Sequence, residues 1–153
     1  DLGYVGAISK VNGQIILDIL DRGYIPVVAS VGCDAYGHSY NINADTAASS
    51  IASALQAENM ILVSDIPWVL RDPKDEDSLI SCIYLDDILY LKRSGIISGG
   101  MIPKVECCSN AISQGVSKAV IIDGRVPHSI LIEMFSEDGI GTMFCQKEGC
   151  SCQ

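Results

Sequence analysis

Short, continuous apolar runs alternate along this chain with segments whose apolar residues recur every three or four positions. The runs at residues 24–30, 60–64 and 117–123 each follow a segment of the second kind. Continuous apolar runs are typical of strands buried on both faces, and helices between successive strands favour parallel pairing. The alternation therefore predicts an α/β fold, with an open, mainly parallel sheet between helix layers.

The same periodicity predicts where the other elements begin and end. Further strands are expected at residues 4–11, 79–84 and 140–144, with a turn or hairpin at 31–40. Helices are expected at residues 14–22, 86–93, 103–114 and 127–135, together with an Ala-rich helix that ends near residue 56. Pro103 is expected at the first position of its helix, where its missing N–H does no harm.

The net negative charge of the chain argues against some classes of binding partner. The 153 residues carry a formal charge of −9, and an acidic surface repels nucleic-acid phosphates and anionic membranes. We therefore expect neither nucleic acid nor a membrane as a partner, although a local cationic site for a nucleotide is compatible with this charge. The chain starts at Asp1 with an apolar run already under way at Val5, so we interpret its upstream part as absent.

The chain has seven cysteines, an odd number that argues against a closed disulfide framework and indicates a reducing compartment. Four cysteines in apolar or helical segments are interpreted as small buried hydrophobes: Cys33, Cys82, Cys107 and Cys108. Cys145, Cys150 and Cys152 lie at the end of the chain, where their spacing is only weak evidence for a soft-metal site. We predict one domain over residues 1–144 and a reduced, disordered, Cys-rich tail over residues 145–153.

Three short polar side chains, Asn41, Asn43 and Asp45, stand where a loop meets the Ala-rich helix. The first N–H groups of a helix have no partner within it, so such a junction suits an anionic ligand. Capping of the helix by Asn43 or Asp45 is the alternative explanation, and it accounts for one of the three residues.

A glycine-rich loop precedes the next long helix. Residues 94–104 read SGIISGGMIPK, with three glycines and two serines before Lys104. Glycines let the backbone approach a phosphate closely, and the lysine adds a positive charge suited to phosphoryl transfer. This is not a Walker A loop, and a flexible loop that ends in a solvated lysine is the alternative. Ser64 and Asp65 end a buried strand, which is where open α/β sheets bind ligands.

Seven segments together closely resemble the acetylglutamate kinases of the amino-acid kinase family. They are DLGYVG, GYIPVV, YNINADTAA, ILVSDIPWVL, SGGMIPKVE, IIDGRVPH and GIGTM, and the match extends over nearly the whole chain up to Phe144. The pair NxNAD and GGMIPK, in this order and spacing, is highly specific. The resemblance implies phosphoryl transfer from ATP to the carboxylate of N-acetyl-L-glutamate, a step of arginine biosynthesis. It also implies a cytoplasmic location, or the plastid stroma in a plant or alga.

The resemblance further implies roles for individual residues. Lys104 would stabilise the transition state, Asp45 would orient the active-site lysines, and Asn41 would contact N-acetyl-L-glutamate. The residues that would hold ATP form two segments: Asp65, Ile66, Pro67, Trp68, Val69 and Leu70, and Ile96, Ile97 and Ser98. Mg²⁺ would arrive with the nucleotide and have few direct protein ligands. Trp68 departs from the pattern, because relatives usually have glycine there.

Other family features are not found in this sequence. The glycine-rich phosphate loop, a second catalytic lysine and a substrate-clamping arginine belong to the N-terminal lobe of the family. We therefore predict that this chain alone is inactive, with part of its sheet exposed at an unpaired edge.

The C-terminal end is similar to that of arginine-inhibited members. His128, Glu137 and Gly139 are therefore candidate contacts for L-arginine, whose guanidinium Glu137 would pair with. The resemblance implies a homo-oligomer at full length, either a dimer or a hexamer, and some relatives bind the nitrogen regulator PII. Two alternatives stay open: a relative that acts on carbamate, aspartate or glutamate, and a non-catalytic module that senses arginine or binds PII.

Overall fold

The computed structural model describes residues 3–65, 69–72, 74–75 and 78–147. The α-helices are α1 (Gly13–Asp21), α2 (Ala44–Ala54), α3 (Ile88–Arg93), α4 (Met101–Ser113) and α5 (Ser129–Phe135). The strands are β1 (Val31–Cys33), β2 (Ser39–Asn41), β3 (Asn59–Ser64), β4 (Cys82–Tyr84), β5 (Lys118–Asp123) and β6 (Thr142–Cys145). A 3₁₀ turn, Leu85–Asp87, leads into α3. None of the described helices is both long enough and apolar enough to cross a membrane.

Four of these strands form the main sheet, in the order β3-β5-β6-β4. β3 pairs with β5 and β4 pairs with β6 in parallel, whereas the central pair, β5 and β6, is antiparallel. β1 and β2 form a separate antiparallel hairpin, where the sequence predicts a turn or hairpin. The predicted α/β class with a mainly parallel sheet is confirmed.

Helices cover both faces of the sheet. Ala119 and Ile121 of β5 belong to the core shared with Val105 of α4. Val120 and Ile122 point to the opposite face, because successive side chains of a strand alternate, and they too are buried. Val120 lies there beside residues of α5. Burial on both faces explains why β5 reads as a continuous apolar run.

The N-terminal part of the chain leaves apolar side chains exposed, and here two strand predictions were wrong. The run at residues 24–30 is not in a strand, and Ile25 and Val27 are 89% and 93% exposed. Of the strand predicted at residues 4–11, only Val5 forms a bridge, with the end of β2. A strand needs a hydrogen-bonding neighbour along its length, and among the described residues β2 reaches only the start of the first run, so no ladder forms along either run.

The last strand extends beyond the predicted domain boundary. Cys145, expected in a disordered tail, is the final residue of β6 and is fully buried. It is ordered because it pairs on both sides, with Lys118 of β5 and Tyr84 of β4. Residues 148–153 of the predicted tail lie outside the described ranges.

Candidate functional site

Two helices bring predicted site residues together. The side chain of Lys104, in the first turn of α4, contacts that of Asp45, in the first turn of α2. At the other end, Nε2 of Gln56, just after α2, donates to the carbonyl of Gln114, just after α4. The two helices therefore run parallel, with both N-termini at the same end.

Both N-termini lie at the carboxyl edge of the sheet. α2 leads into β3 and α4 leads into β5, so each helix runs opposite to the strand that follows it. β3 and β5 end side by side, with Ser64 in register with Asp123. A helix N-terminus carries partial positive charge, and open α/β sheets bind ligands at this edge. This end of the structure therefore favours an anionic ligand.

Lys104 and Asp45 form a partly buried ion pair at this edge. Nζ of Lys104 donates to Oδ2 of Asp45 at 3.0 Å, and the two side chains are 17% and 26% exposed. Water screens such a pair less than it screens a surface pair, so the carboxylate holds the ammonium in a defined place. An ammonium has three N–H donors, and this contact uses one of them. Lys104 can therefore be oriented by Asp45 while it binds a phosphate oxygen.

The start of α4 differs from the prediction. The helix begins at Met101, so Pro103 stands at its third position rather than its first. Gly99 adopts a φ of +55°, and the N–H groups of Met101 and Ile102 donate to carbonyls three residues earlier. Proline has no N–H to offer. The backbone at this helix start thus presents fewer donors than the sequence predicted, and Lys104 carries the full positive charge there.

The three polar residues at the start of α2 make different contacts. Asn43 is the N-cap, and its side-chain oxygen accepts from the N–H of Thr46 at 3.0 Å. Asp45 is then available for its lysine partner. Asn41 is exposed at the end of β2, where its backbone N–H and carbonyl both bond to residues 4–6. Contact between Asn41 and a substrate stays a prediction.

The first predicted nucleotide segment, residues 65–70, is described at its two ends. Asp65 is exposed directly after β3, Val69 is buried and Leu70 is half-buried. The N–H of Val69 donates to the hydroxyl of Thr142 at 3.0 Å, a contact that the sequence did not predict. Residues 66–68, also predicted to contact ATP, lie outside the described ranges.

The second predicted nucleotide segment is divided between the core and the surface. Ile97 is 1% exposed and belongs to the hydrophobic core, so its side chain is directed away from any ligand at the surface. Ile96 is half-buried and packs against the same core, whereas Ser98 is exposed. Of these three residues, only Ser98 therefore offers an accessible side-chain donor next to the start of α4.

Asp123 and Arg125 form a second ion pair at the carboxyl edge, one that the sequence analysis did not single out. Nε and Nη2 of Arg125 donate to the two carboxylate oxygens of Asp123, which is buried at the end of β5. The guanidinium lowers the pKa of this carboxyl below its ordinary value of 3.8. The pair fixes the turn that follows β5, next to the end of β3.

The residues predicted to bind arginine lie at opposite ends of α5. His128, at the N-cap position, is exposed and has a φ of +62°. Glu137 and Gly139 follow the other end of this helix, whose seven residues span roughly 10 Å. Glu133 instead accepts hydrogen bonds from two backbone N–H groups in the loop after α5. An arginine site formed by the three predicted residues stays a prediction.

The groups at the carboxyl edge suit phosphate oxygens better than a bare cation. Among the residues that the structure describes, no group of three or more His, Cys, Asp or Glu could hold a metal ion. The edge offers an ammonium and two helix N-termini, which attract anions. These residues fit a polyphosphate, and a divalent cation such as Mg²⁺ would be held mainly by the phosphates themselves.

Known proteins resemble this chain in sequence over most of its length. The sequence profile of the amino acid kinase family matches residues 1–123. The acetylglutamate kinases of Clostridium beijerinckii and Brachyspira hyodysenteriae are 58% and 54% identical to it over 144 residues. Each alignment covers 94% of this chain and 50% of the relative. The chain therefore spans about half the length of these curated relatives.

Solved structures share the fold at lower sequence identity. An N-acetylglutamate synthase from Neisseria gonorrhoeae, complexed with coenzyme A and L-arginine, has a TM-score of 0.85 at 24% identity. That match covers 96% of this chain and 34% of the synthase chain. A carbamate kinase from Giardia lamblia bound to AMP-PNP has a TM-score of 0.66 at 20% identity, covering 89% of this chain and 50% of the kinase. With its profile match over most of its residues, this chain belongs to the amino acid kinase family.

Proposed function

We propose that the protein containing this chain transfers the γ-phosphoryl group of ATP to the carboxylate of N-acetyl-L-glutamate. The observation that carries the proposal is the contact between Lys104 and Asp45 where two parallel helices begin. The identity of more than half of the aligned residues to acetylglutamate kinases supports the choice of acceptor. Asn41, exposed shortly before α2, is the residue proposed to contact that acceptor.

This reaction needs positive charge and alignment rather than a general base. A carboxylate is already ionised at neutral pH, so its oxygen attacks the γ-phosphorus without losing a proton. The bond from that phosphorus to the bridging oxygen breaks, ADP leaves, and an acyl phosphate forms. Negative charge on the transferring group is stabilised by the ammonium of Lys104, which Asp45 holds in place. Mg²⁺ bound to the nucleotide supplies further positive charge.

We propose further that this activity requires a protein of about the length of the relatives, so that the 153-residue chain alone is inactive. α1 has no buried residue, and Ile25 and Val27 are almost fully exposed. Apolar surface of this extent is typical of a face that packs against another segment. Inhibition by L-arginine, assembly into a dimer or hexamer, binding of PII and a cytoplasmic or plastid location stay predictions.

The proposal is tested by following ADP formation from MgATP with different acceptors. The full-length protein is incubated with N-acetyl-L-glutamate, carbamate, L-aspartate or L-glutamate, and the 153-residue chain is assayed in parallel. We expect turnover with N-acetyl-L-glutamate in the full-length protein only. Turnover with another acceptor would replace the proposed substrate, and the absence of both turnover and ATP binding would favour a non-catalytic module.

A further inference from the structure

We propose that Tyr40 is a positioning residue for the acceptor, and that its side chain holds in place the strand that presents Asn41. Tyr40 directly precedes Asn41 in β2. It belongs to the segment YNINADTAA, yet the sequence analysis assigned it no role. The inference rests on the proposed function, since it requires Asn41 to contact the acceptor.

The backbone of Asn41 has a neighbour on each side. Its N–H donates to the carbonyl of Tyr4 at 2.7 Å, and its carbonyl accepts from the N–H of Gly6 at 3.0 Å. On the other side, Asn41 lies in register with Val31 of β1. The strand β2 therefore lies between β1 and residues 4–6, and both neighbours determine where it runs.

The side chain of Asn41 depends on this backbone for its direction. It is exposed, and its amide bonds to no other residue in the described part of the chain. Successive side chains of a strand point to opposite faces, so the amide of Asn41 and the ring of Tyr40 lie on opposite faces of β2. Because no contact of its own fixes the amide, the placement of β2 decides where it meets an acceptor.

The side chain of Tyr40 joins the two neighbours of β2. Its hydroxyl donates to Oδ2 of Asp34, the residue after β1, at 3.1 Å. Its ring lies 6.2 Å from the ring of Tyr4, centroid to centroid, at an angle of 51°, which is a favourable separation for two aromatic rings. The half-buried Tyr40 thus links the turn of the hairpin to residues 4–6, across the strand that carries Asn41.

Both partners of Tyr40 are fixed by further contacts. Oδ1 of Asp34 accepts from the N–H groups of Tyr36 and His38, at 2.8 and 2.9 Å, so its carboxylate closes the turn. A side chain at Gly6 would meet Cβ of Tyr40 at 2.8 Å, so glycine is needed for this close approach. The ring of Tyr40 is therefore attached to two well-defined points.

A merely structural tyrosine would affect the stability of the fold and leave the KM for the acceptor unchanged. A positioning tyrosine acts on the acceptor instead, because a displaced Asn41 binds it less well. The pair of Lys104 and Asp45 is held by α2 and α4 and does not involve the hairpin. Loss of the Tyr40 ring should therefore raise the KM for the acceptor and leave the Kd for MgATP nearly unchanged.

The test compares three variants of the full-length enzyme in steady-state kinetics with saturating MgATP. Tyr40→Ala removes the ring and its hydroxyl, and Asn41→Ala shows the effect of losing the acceptor contact itself. Tyr36→Ala is the matched control, because it removes a tyrosine of the same hairpin that is 88% exposed and whose ring lies near His38.

We expect Tyr40→Ala to raise the KM for N-acetyl-L-glutamate about tenfold, with the Kd for MgATP within about twofold of the wild type. Tyr36→Ala should stay within about twofold of the wild type in both quantities. An unchanged KM for Tyr40→Ala, or an equal rise for Tyr36→Ala, would overturn the inference, even where the melting temperature falls.

The outcomes separate this inference from the proposed function. If the wild type uses carbamate, L-aspartate or L-glutamate instead, the proposed acceptor is overturned, and the KM for the acceptor that it does use decides the role of Tyr40. If the wild type uses none of these acceptors, or Asn41→Ala leaves the KM unchanged, the inference is overturned as well. If Asn41→Ala raises the KM and Tyr40→Ala does not, only the inference is overturned.

A milder variant keeps the test decisive should Tyr40→Ala not fold. Tyr40→Phe keeps the ring against residues 4–6 and removes only the hydroxyl that bonds to Asp34. We expect its KM for the acceptor to rise about threefold, the effect of losing one hydrogen bond that is partly open to water. A KM equal to that of the wild type would count against the inference.

Discussion

Nζ of Lys104 lies 3.0 Å from Oδ2 of Asp45, although the two residues are 59 positions apart in the chain. They meet because α2 and α4 run parallel and both begin at the carboxyl edge of β3 and β5. A lysine on one helix is thus oriented by a carboxylate on another, through one of the three N–H donors of its ammonium. This arrangement suits an ammonium that must stay in position while it stabilises a transferring phosphoryl group.

Replacing Asp45 by asparagine should reduce turnover more than nucleotide binding. The amide keeps the size of the side chain and an acceptor oxygen but loses the charge that orients Lys104. In the full-length enzyme we expect kcat to fall about tenfold, with the Kd for MgATP within about threefold of the wild type. Steady-state kinetics and calorimetry measure the two quantities. The exposed Asp86→Asn is the matched control, and equal kcat values for the two variants would contradict the orienting role of Asp45.

Replacing Asp123 by asparagine should destabilise the fold in a pH-dependent way. The Arg125 guanidinium lowers the pKa of Asp123, so the native state binds this proton more weakly than the unfolded chain does. The stabilisation is therefore present above about pH 4 and is lost as the pH falls through the lowered pKa. At pH 7 we expect Asp123→Asn to reduce the free energy of unfolding by about 1 kcal/mol.

Urea denaturation between pH 7 and pH 3 measures this difference. The gap between wild type and Asp123→Asn should close towards pH 3, whereas the exposed Asp138→Asn should show little effect at either pH. A gap of constant size across this range would mean that the ion pair with Arg125 does not contribute to stability.

The cysteines should differ strongly in their reactivity towards alkylating reagents. Burial raises the pKa of the Cys108 thiol to about 12, so almost none of it is thiolate at pH 8. Cys33, interpreted from the sequence as buried, is instead exposed at the end of β1 in the hairpin. Peptide mapping after brief treatment with iodoacetamide should find Cys33 modified and Cys108 intact, with both modified in guanidinium chloride. Rapid modification of Cys108 in the native protein would show that the α4 core opens readily.

The helices and strands that could be predicted are those whose own residues show the pattern, such as an apolar run or a capping residue. β5 reads as a continuous apolar run because both of its faces are covered, and α2 begins at a capping residue. The strand predicted at residues 24–30 failed because an apolar run becomes a strand only beside a partner. The start of α4 was misplaced because Pro103 tolerates several positions in a first helical turn.

The site residues that lie in a recognisable sequence motif could be predicted. Those identified only by a contact between distant parts of the chain could not. Asp45 and Lys104 stand in recognisable segments, so the sequence could name them before the structure brought them together. Thr142 contacts Val69 across 73 positions, and no local pattern marks such a pair. Ile97 stands in a predicted nucleotide segment yet is buried, because apolar side chains in a glycine-rich loop can serve the core as well as a ligand.

The catalytic role of Lys104 is the central prediction, and one pair of variants tests it most directly. Lys104→Ala removes the ammonium in the first turn of α4. Lys92→Ala removes a different ammonium, which pairs with Glu106 outside the proposed site. The full-length enzyme is assayed with MgATP and N-acetyl-L-glutamate, and kcat and the Kd for MgATP are compared. Both variants lose one positive charge, so a difference between them reports on position rather than on net charge.

We expect Lys104→Ala to lower kcat about a hundredfold, the usual effect of losing a donor to the transition state, and to weaken MgATP binding much less. Lys92→Ala should stay close to the wild type in both quantities. A kcat for Lys104→Ala within about threefold of the wild type would contradict the assignment of phosphoryl transfer to the Asp45–Lys104 pair.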